Sequence, residues 1–277
     1  MKQYSYPSVM TIAGFDGSGG AGIQADIKAI SALGCYATSA LTALPVQNTT
    51  GVKSIYPIEY MAVQEQIQAI MEDIPPKAIK IGMLHTSELV LTVVETLKKY
   101  PKTPLVFDPV MVATSGHKLI EDSTIGTIVE MLFPIIDILT PNLDEAAILA
   151  EMEIHTVEDM YSAGKKIKKL GVKNVLLKGG HLKTLELTSL FFDADDKVTA
   201  FQQEKYNTNN THGSGCTLSS AIASYLALGE SFVGAISKGQ DYVHKAIFHG
   251  KDVAIGKGNG PLNHFFNPQI LVKHDLV

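Results

Sequence analysis

Val9-Met10-Thr11-Ile12-Ala13, running into Gly14-Phe15-Asp16-Gly17-Ser18-Gly19-Gly20-Ala21-Gly22, decides the fold class of this chain. The first five residues read as a buried strand, the glycines as a turn, and residues 22–33 as a helix. A strand that passes through a glycine turn into a helix is the building unit of a parallel sheet, because parallel neighbours need a crossover between them. The unit recurs. Residues 35–44 read as a strand, 63–71 as a helix, 78–81 as a strand and 87–99 as a helix. Leu105-Val106-Phe107 precedes Asp108-Pro109, and Ile135-Ile136-Asp137-Ile138-Leu139 precedes Thr140-Pro141-Asn142. Helices follow at 145–152 and 157–170, then the strand Asn174-Val175-Leu176-Leu177-Lys178 ends in Gly179-Gly180. Residues 188–192 and 198–201 flank a charged turn and predict a hairpin. Two helices close the chain, at 217–228 and 232–249. The alternation predicts an α/β fold with a mostly parallel central sheet and helices on both faces. With no internal repeat and no break in composition, residues 1–277 are expected to form a single domain.

In such a sheet the ligand lies beyond the carboxyl ends of the strands. Gly17-Ser18-Gly19-Gly20-Ala21-Gly22 sits at one of these ends and matches the G-x-G-x-x-G pattern of dinucleotide-binding enzymes. That pattern needs an acidic residue about 20 positions on to hold the ribose. Residues 38–51 contain no Asp or Glu, and the first acid after Asp26 is Glu59. The sequence therefore argues against a nicotinamide enzyme, and the loop reads as a turn whose amides line a different ligand. The Walker pattern is also absent, which closes the ordinary P-loop route to ATP.

Composition narrows the partners. Of the 277 residues 45% are hydrophobic and 18% charged, enough for a large core, and the net charge of −5 gives no basic footprint for nucleic acid or an anionic membrane. No apolar run approaches the ~18 residues of a membrane span, and residues 1–8 lack a signal-peptide pattern. Cys35 and Cys216 are too few for a disulfide framework or a zinc site. A cytoplasmic protein acting on small molecules is expected.

A second glycine turn is more telling. Thr211-His212-Gly213-Ser214-Gly215-Cys216-Thr217 opens a helix in which Leu218, Ala221, Ile222, Tyr225 and Leu226 share one face. Unpaired amides at a helix start, aimed at one point and reinforced by the helix dipole, form an anion site. Cys216 stands at its mouth, where the same field is expected to favour the thiolate and lower its pKa. Phosphate chemistry beside a cysteine is the expectation; a plain loop-to-helix turn with a buried cysteine is the alternative.

Taken together, these segments resemble the ribokinase superfamily and, within it, the hydroxymethylpyrimidine/phosphomethylpyrimidine kinases of thiamine biosynthesis. The resemblance rests on Thr11-Ile12-Ala13-Gly14, Asp16, Ser18-Gly19-Gly20-Ala21-Gly22-Ile23-Gln24-Ala25-Asp26, Val46-Gln47-Asn48-Thr49 and Gly51-Val52. It continues through Lys80, Gly82-Met83-Leu84, Asp108-Pro109-Val110-Met111-Val112-Ala113-Thr114-Ser115-Gly116, Thr140-Pro141-Asn142-Leu143, Glu145-Ala146, Lys178-Gly179-Gly180-His181 and Thr211 to Ser219, in order over residues 8–264. Two departures are small: Phe15-Asp16-Gly17-Ser18 stands where the family more often has Ser-Asp-Ser-Ser, and Ser214 where it more often has Thr or Ala.

The resemblance implies an ATP- and Mg²⁺-dependent kinase of a ribokinase-like fold that phosphorylates an aminopyrimidine alcohol and then its phosphate, as a homodimer. A pyridoxal/pyridoxine kinase of the same branch, or dual specificity, is the alternative. It implies that Gly213, Ser214 and Gly215 hold the moving phosphoryl group and that Cys216 takes the base position. Gln47 would answer the ring nitrogen and amine of the pyrimidine with one carboxamide. Met83 would pack on the ring, with Gly14, Ala21 and Val110 closing the pocket. Lys178, Thr211 and Asn142 would serve the nucleotide. Asp108 and Glu145 suit magnesium, which takes oxygen ligands and needs few carboxylates. Asn142-Leu143-Asp144-Glu145 also reads as a capping box, which gives Glu145 a structural role of equal weight. Asp26 is expected to steady the first glycine loop, and His212 to be a turn residue near nucleotide.

Overall fold

The computed structural model describes residues 3–111, 120–180, 182 and 186–275. Its strands are β1 (Tyr4–Ser5), β2 (Ser8–Ala13), β3 (Tyr36–Leu41), β4 (Ala43–Asn48), β5 (Gly51–Pro57), β6 (Ala78–Ile81), β7 (Leu105–Phe107), β8 (Ile138–Leu139), β9 (Val175–Lys178), β10 (Glu186–Phe192), β11 (Val198–Glu204) and β12 (His274–Asp275). Its helices are α1 (Gly22–Ala32), α2 (Tyr60–Asp73), α3 (Ser87–Leu97), α4 (Asp122–Thr127), α5 (Leu143–Ala150), α6 (Val157–Lys168), α7 (Ser214–Ala227) and α8 (Phe232–Gly250), with a π-helical turn at Ile128–Leu132.

Eight strands form one sheet in the order β11-β10-β9-β8-β7-β6-β2-β3. From β9 to β3 every pairing is parallel, and the β10–β11 hairpin adds antiparallel strands at one edge. The period-2 alternation of side chains divides the core in two. Met10, Ile12, Ile79, Ile81, Leu105, Phe107, Leu139, Val175 and Leu177 join the cluster that contains residues of α2, α3, α5 and α6. Val9, Ala78, Val106, Ile138 and Leu176 join residues of α1, α7 and α8 on the other face. This is the two-faced α/β architecture expected from the alternation.

Several boundaries differ from the sequence reading, three of them close to residues expected in the site. The run 35–44 is not one strand: it breaks at Thr42, and β4 leaves the sheet to pair with β5 as a two-stranded flap. Thr42 is the hinge, its N–H bonded to Ala13 O (2.9 Å) and its hydroxyl to Met83 O (2.9 Å). Helix α7 begins at Ser214, three residues before the expected Thr217, because Gly213 adopts a left-handed conformation (φ 78°, ψ 11°) and serves as its N-cap. The strand before Thr140 is confined to Ile138–Leu139.

Candidate active site

Because β2, β3, β6, β7, β8 and β9 run in one direction, their carboxyl ends deliver residues 14–21, the flap, Met83, Asp108, Asn142 and Lys178 to the same edge of the sheet. There a cleft of about 620 Å³ opens. Gly14, Ala21, Gln47, Met83 and Val110 line it, as do Asp108, Asn142, Glu145 and Lys178, and Thr211, Gly213, Ser214, Gly215 and Cys216. Every site residue expected from the sequence thus faces one space.

The start of α7 forms its floor. Ser214 N–H closes a turn on Thr211 O (3.1 Å) and Thr217 N–H begins the helical ladder on Gly213 O (2.9 Å). The amides of Gly215 and Cys216, second and third in the helix, are left without an intrahelical partner. Only glycine fits at 213: a Cβ there would meet Gly20 O at 1.8 Å, so the two glycine turns touch backbone to backbone. At Gly215 a Cβ would meet Lys178 Nζ at 3.2 Å and Asp108 Oδ2 at 3.3 Å. These two side chains therefore stand directly against the helix start.

Asp108 is buried, and its Oδ1 accepts from Lys178 Nζ (2.8 Å) and Thr140 Oγ1 (3.1 Å). Its Oδ2 is the oxygen nearer Gly215. Burial disfavours the charge on Lys178, but Asp108 and then Glu145 outweigh it and raise its pKa. Glu145 makes the capping box with Asn142: Asn142 Oδ1 accepts from Glu145 N (2.9 Å) and Glu145 Oε2 from Asn142 N (2.8 Å). Burial pushes the Glu145 carboxyl up to about 7 despite Lys178, with Asp108 adding to the rise. Both roles open to Glu145 in the sequence are compatible, since one oxygen caps the helix while the residue lines the cleft. Among the described residues no group of three or more His, Cys, Asp or Glu is placed to hold a metal by itself. A pair of carboxylates suits magnesium, which keeps waters and shares phosphate oxygens.

Cys216 corrects one expectation. Burial pushes its thiol up to about 11; Lys80 opposes the rise, while Asp26 and Asp108 add to it. Desolvation of the sulfur outweighs the Lys80 charge and the Gly22 N–H that favour the thiolate.

The first glycine loop is partly engaged from within, and one expectation about it is corrected. Asp16 takes two of its amides, its carboxylate accepting from Ser18 N (2.9 Å), Ala21 N (2.7 Å) and Ser18 Oγ (2.7 Å), while Ala21 and Gly22 line the cleft. Asp16, rather than Asp26, steadies the loop. Burial works against the charge of Asp16, but its bonds from His212, Ser18 and Ala21 hold its pKa well below the usual carboxylate range. His212 Nε2 lies 2.8 Å from Asp16 Oδ2, so the expected turn residue ties the second glycine turn to the first.

Asp26 belongs to a buried charge cluster under α7. Its Oδ2 meets Lys80 Nζ (2.8 Å) and Thr11 Oγ1 (2.6 Å), and its Oδ1 accepts from Ser220 Oγ (2.8 Å), one helical turn beyond Cys216. Lys80 and Asp26 are both 0% exposed, yet Lys80 also lines the cleft. Burial penalises its ammonium and Asp26 and Cys216 favour it, with a raised pKa as the result. Sequence reasoning gave Lys80 no role. The signal was present, since a lysine inside Ala78-Ile79-Lys80-Ile81 on a buried strand needs a partner.

At the flap end, Gly14 and Met83 touch: a Cβ on Gly14 would meet Met83 Cε at 2.8 Å. Phe15 and Pro45 join them around Gln47. Residues 112–116 and His181, which carry part of the resemblance, lie outside the described residues.

The fold and this site define a small-molecule kinase of the ribokinase-like class; a solved Bacillus subtilis pyridoxal kinase in complex with ADP superposes with a TM-score of 0.85 at 33% identity, over 94% of this chain and 98% of that one. The phosphomethylpyrimidine kinase family model matches residues 16–263, and this chain belongs to that family. A hydroxymethylpyrimidine/phosphomethylpyrimidine kinase of Rhizobium meliloti is 42% identical over 257 residues, 92% of this chain and 96% of that protein. A probable thiamine biosynthetic bifunctional enzyme of Oryza sativa is 42% identical over 268 residues, 96% of this chain, which spans about half (49%) of that longer protein. Among the described residues no helix is long and apolar enough to cross a membrane.

Proposed function

We propose that this protein transfers the γ-phosphoryl group of ATP to the hydroxymethyl oxygen of 4-amino-5-hydroxymethyl-2-methylpyrimidine, and then a second phosphoryl group to the phosphate so formed. The observation that carries the reading is the convergence of Lys178 and Asp108 on the start of α7 at Gly215, within the cleft that Cys216, Gln47 and Met83 also line.

Phosphoryl transfer needs positioning and neutralisation more than covalent help. The amides of Gly215 and Cys216 receive the moving phosphoryl group, and Lys178 adds a charge that Asp108 aims. Asn142, Thr211 and the residues beyond them hold the nucleotide. Asp108 Oδ2 and Glu145 would hold magnesium, which neutralises phosphate charge when bound. Gln47 reads the ring nitrogen and amine, and Met83, Gly14, Ala21 and Val110 enclose the ring. The hydroxyl oxygen then bonds to the γ-phosphorus as the bridging bond to ADP breaks, and the hydroxyl proton passes to Cys216 Sγ. Only the thiolate can take that proton, and with the thiol at about 11 it is a small fraction at neutral pH, so turnover speeds up as rising pH enlarges that fraction.

The reading includes a cytoplasmic homodimer. The flap exposes Leu44, Val46 and Tyr56, an apolar face suited to a second copy, and sedimentation should give twice 29.9 kDa.

The test is direct. With Mg-ATP and each vitamin alcohol in turn, ADP should be released fastest with the aminopyrimidine, and Gln47→Ala should raise the pyrimidine KM about tenfold with less effect on kcat. Chelating the metal should stop turnover. Faster turnover of pyridoxal than of the pyrimidine would transfer the assignment to the vitamin B6 alternative.

A further inference from the structure

The open amides of Gly215 and Cys216 are aimed by the peptide that precedes them, and that peptide is gripped from below. Gly213 O accepts from Thr217 twice, from its N–H (2.9 Å) and from its Oγ1 (2.9 Å). The same Oγ1 lies 3.0 Å from His264 Nε2. A hydroxyl carries one proton, and a carbonyl can only accept it. With the Thr217 proton given to Gly213 O, the tautomer of His264 that completes the arrangement carries its proton on Nε2 and donates to Thr217 Oγ1. A directed chain results, from imidazole N–H to hydroxyl to carbonyl, in which each bond polarises the next.

His264 is held for this task. It is 4% exposed, Tyr242 Oη donates to its carbonyl (2.7 Å), and Asn263 N–H donates to Ala246 O (3.0 Å), which pins the segment to α8. Burial, and then Lys28, push the His264 pKa down to about 4, so the ring is a neutral donor at physiological pH. Neither Thr217 nor His264 lines the cleft, and both are buried beside Leu218, Leu262 and Tyr242. Burying a hydroxyl and an imidazole in apolar surroundings costs free energy that an aliphatic pair would avoid. The carbonyl that they orient supplies the reason for them.

We propose that His264 is a positioning residue for phosphoryl transfer: through Thr217 it fixes the Gly213–Ser214 peptide and so the direction of the amides that receive the phosphoryl group. The proposal rests on the reading of the α7 start as the phosphoryl site.

Three replacements separate positioning from plain packing. His264→Phe keeps a ring and removes the donor, His264→Gln places an amide N–H near the position of Nε2, and Thr217→Val removes the relay with little change of shape. Kinetics should show kcat about tenfold lower in His264→Phe and Thr217→Val, with the pyrimidine KM within about twofold and His264→Gln within about threefold of wild type. The double variant His264→Phe/Thr217→Val should be no slower than either single one. Equal losses in His264→Phe and His264→Gln, or multiplicative losses in the double variant, would overturn the proposal. Amide hydrogen exchange in the ligand-free protein gives a readout independent of turnover. Exchange of the hydrogen-bonded amides at positions 214 and 217 should quicken about tenfold in His264→Phe and Thr217→Val but not in His264→Gln. Unchanged exchange overturns the positioning role, whereas a wild-type protein with normal exchange differences and no kinase activity counts against the kinase reading alone. If His264→Phe does not fold, Thr217→Val against Thr217→Ser carries the same comparison.

Discussion

Two glycine turns in this molecule lead into helices, and they differ in whether a carboxylate of the turn already takes their amides. In the first, residues 17–22, a carboxylate belonging to the loop itself takes the amides: Asp16 accepts from Ser18 and Ala21 and from the Ser18 hydroxyl. In the second, Gly213–Gly215, no such acid stands in the turn, and the first helical amides face the cleft. The difference teaches that glycine spacing before a helix marks flexibility of backbone, while anion binding depends on which acceptors are already present. The closed turn still serves the open one. Gly20 O packs where a Cβ on Gly213 would be, and His212 reaches across to Asp16.

The comparison can be broken most strongly at Cys216. Cys216→Ala leaves the open amides in place but removes the proposed proton acceptor, so phosphorylation of the alcohol should fall by about 10² to 10³. The second transfer has a phosphate oxygen as nucleophile, largely ionised to the dianion above pH ~6 and then with no proton to lose, and should fall less than about tenfold. Equal losses in the two half-reactions, followed separately by phosphorus NMR, would remove Cys216 from the base position.

Next in size is the charge beneath the open turn. Lys80→Met strands the buried Asp26 carboxylate and should cost about 3–5 kcal/mol of stability in denaturant titration, and Lys80→Met/Asp26→Leu should recover most of it. The double variant should remain slow, and in Lys80→Met alone Cys216 should be alkylated more slowly at a given pH than in wild type, because the cation opposing the thiol's rise is gone while Asp26 stays. Recovery of full activity would leave Lys80 with a structural role only.

Opening the closed turn gives a smaller effect. Asp16→Ala frees the Ser18 and Ala21 amides and should cost about 1–3 kcal/mol, while the KM for ATP stays within about twofold. A large rise in that KM would show the first loop to be a nucleotide contact.

Glu145 gives the smallest effect, and its sign is informative. A carboxyl raised to about 7 from 4.5 weakens the folded state as pH rises through that window, because the unfolded chain ionises more easily. Glu145→Gln keeps the capping geometry and removes the charge. Its Tm should exceed that of wild type by roughly 2–4 °C at pH 8, with the difference vanishing near pH 4, while kcat falls. A variant less stable than wild type at pH 8 would contradict the burial argument.

Much of this was legible in the sequence. Alternating apolar strands and helical periods specified the two-faced sheet, and strand-end positions such as Asp108, Asn142 and Lys178 followed from the rule that ligands bind at carboxyl ends. The flap was hidden because residues 35–44 are continuously strand-like, and only the tertiary bonds of Thr42 show where the chain leaves the sheet. The Cys216 thiol was misjudged because a dipole argument is local, whereas desolvation depends on everything packed around the sulfur. Lys80 and His264 were missed for the same reason: their partners, Asp26 and Thr217, lie 54 and 47 positions away, a separation no periodicity reports.

The central claim is that the start of α7, and not the first glycine loop, receives the moving phosphoryl group. A crystal structure with magnesium and a non-hydrolysable ATP analogue measures it directly. The account predicts a γ-phosphate oxygen about 3 Å from the amides of Gly215 and Cys216 with Lys178 beside it; a γ-phosphate bound instead by the amides of Ser18 to Ala21, with the Asp16 bonds broken, would contradict it.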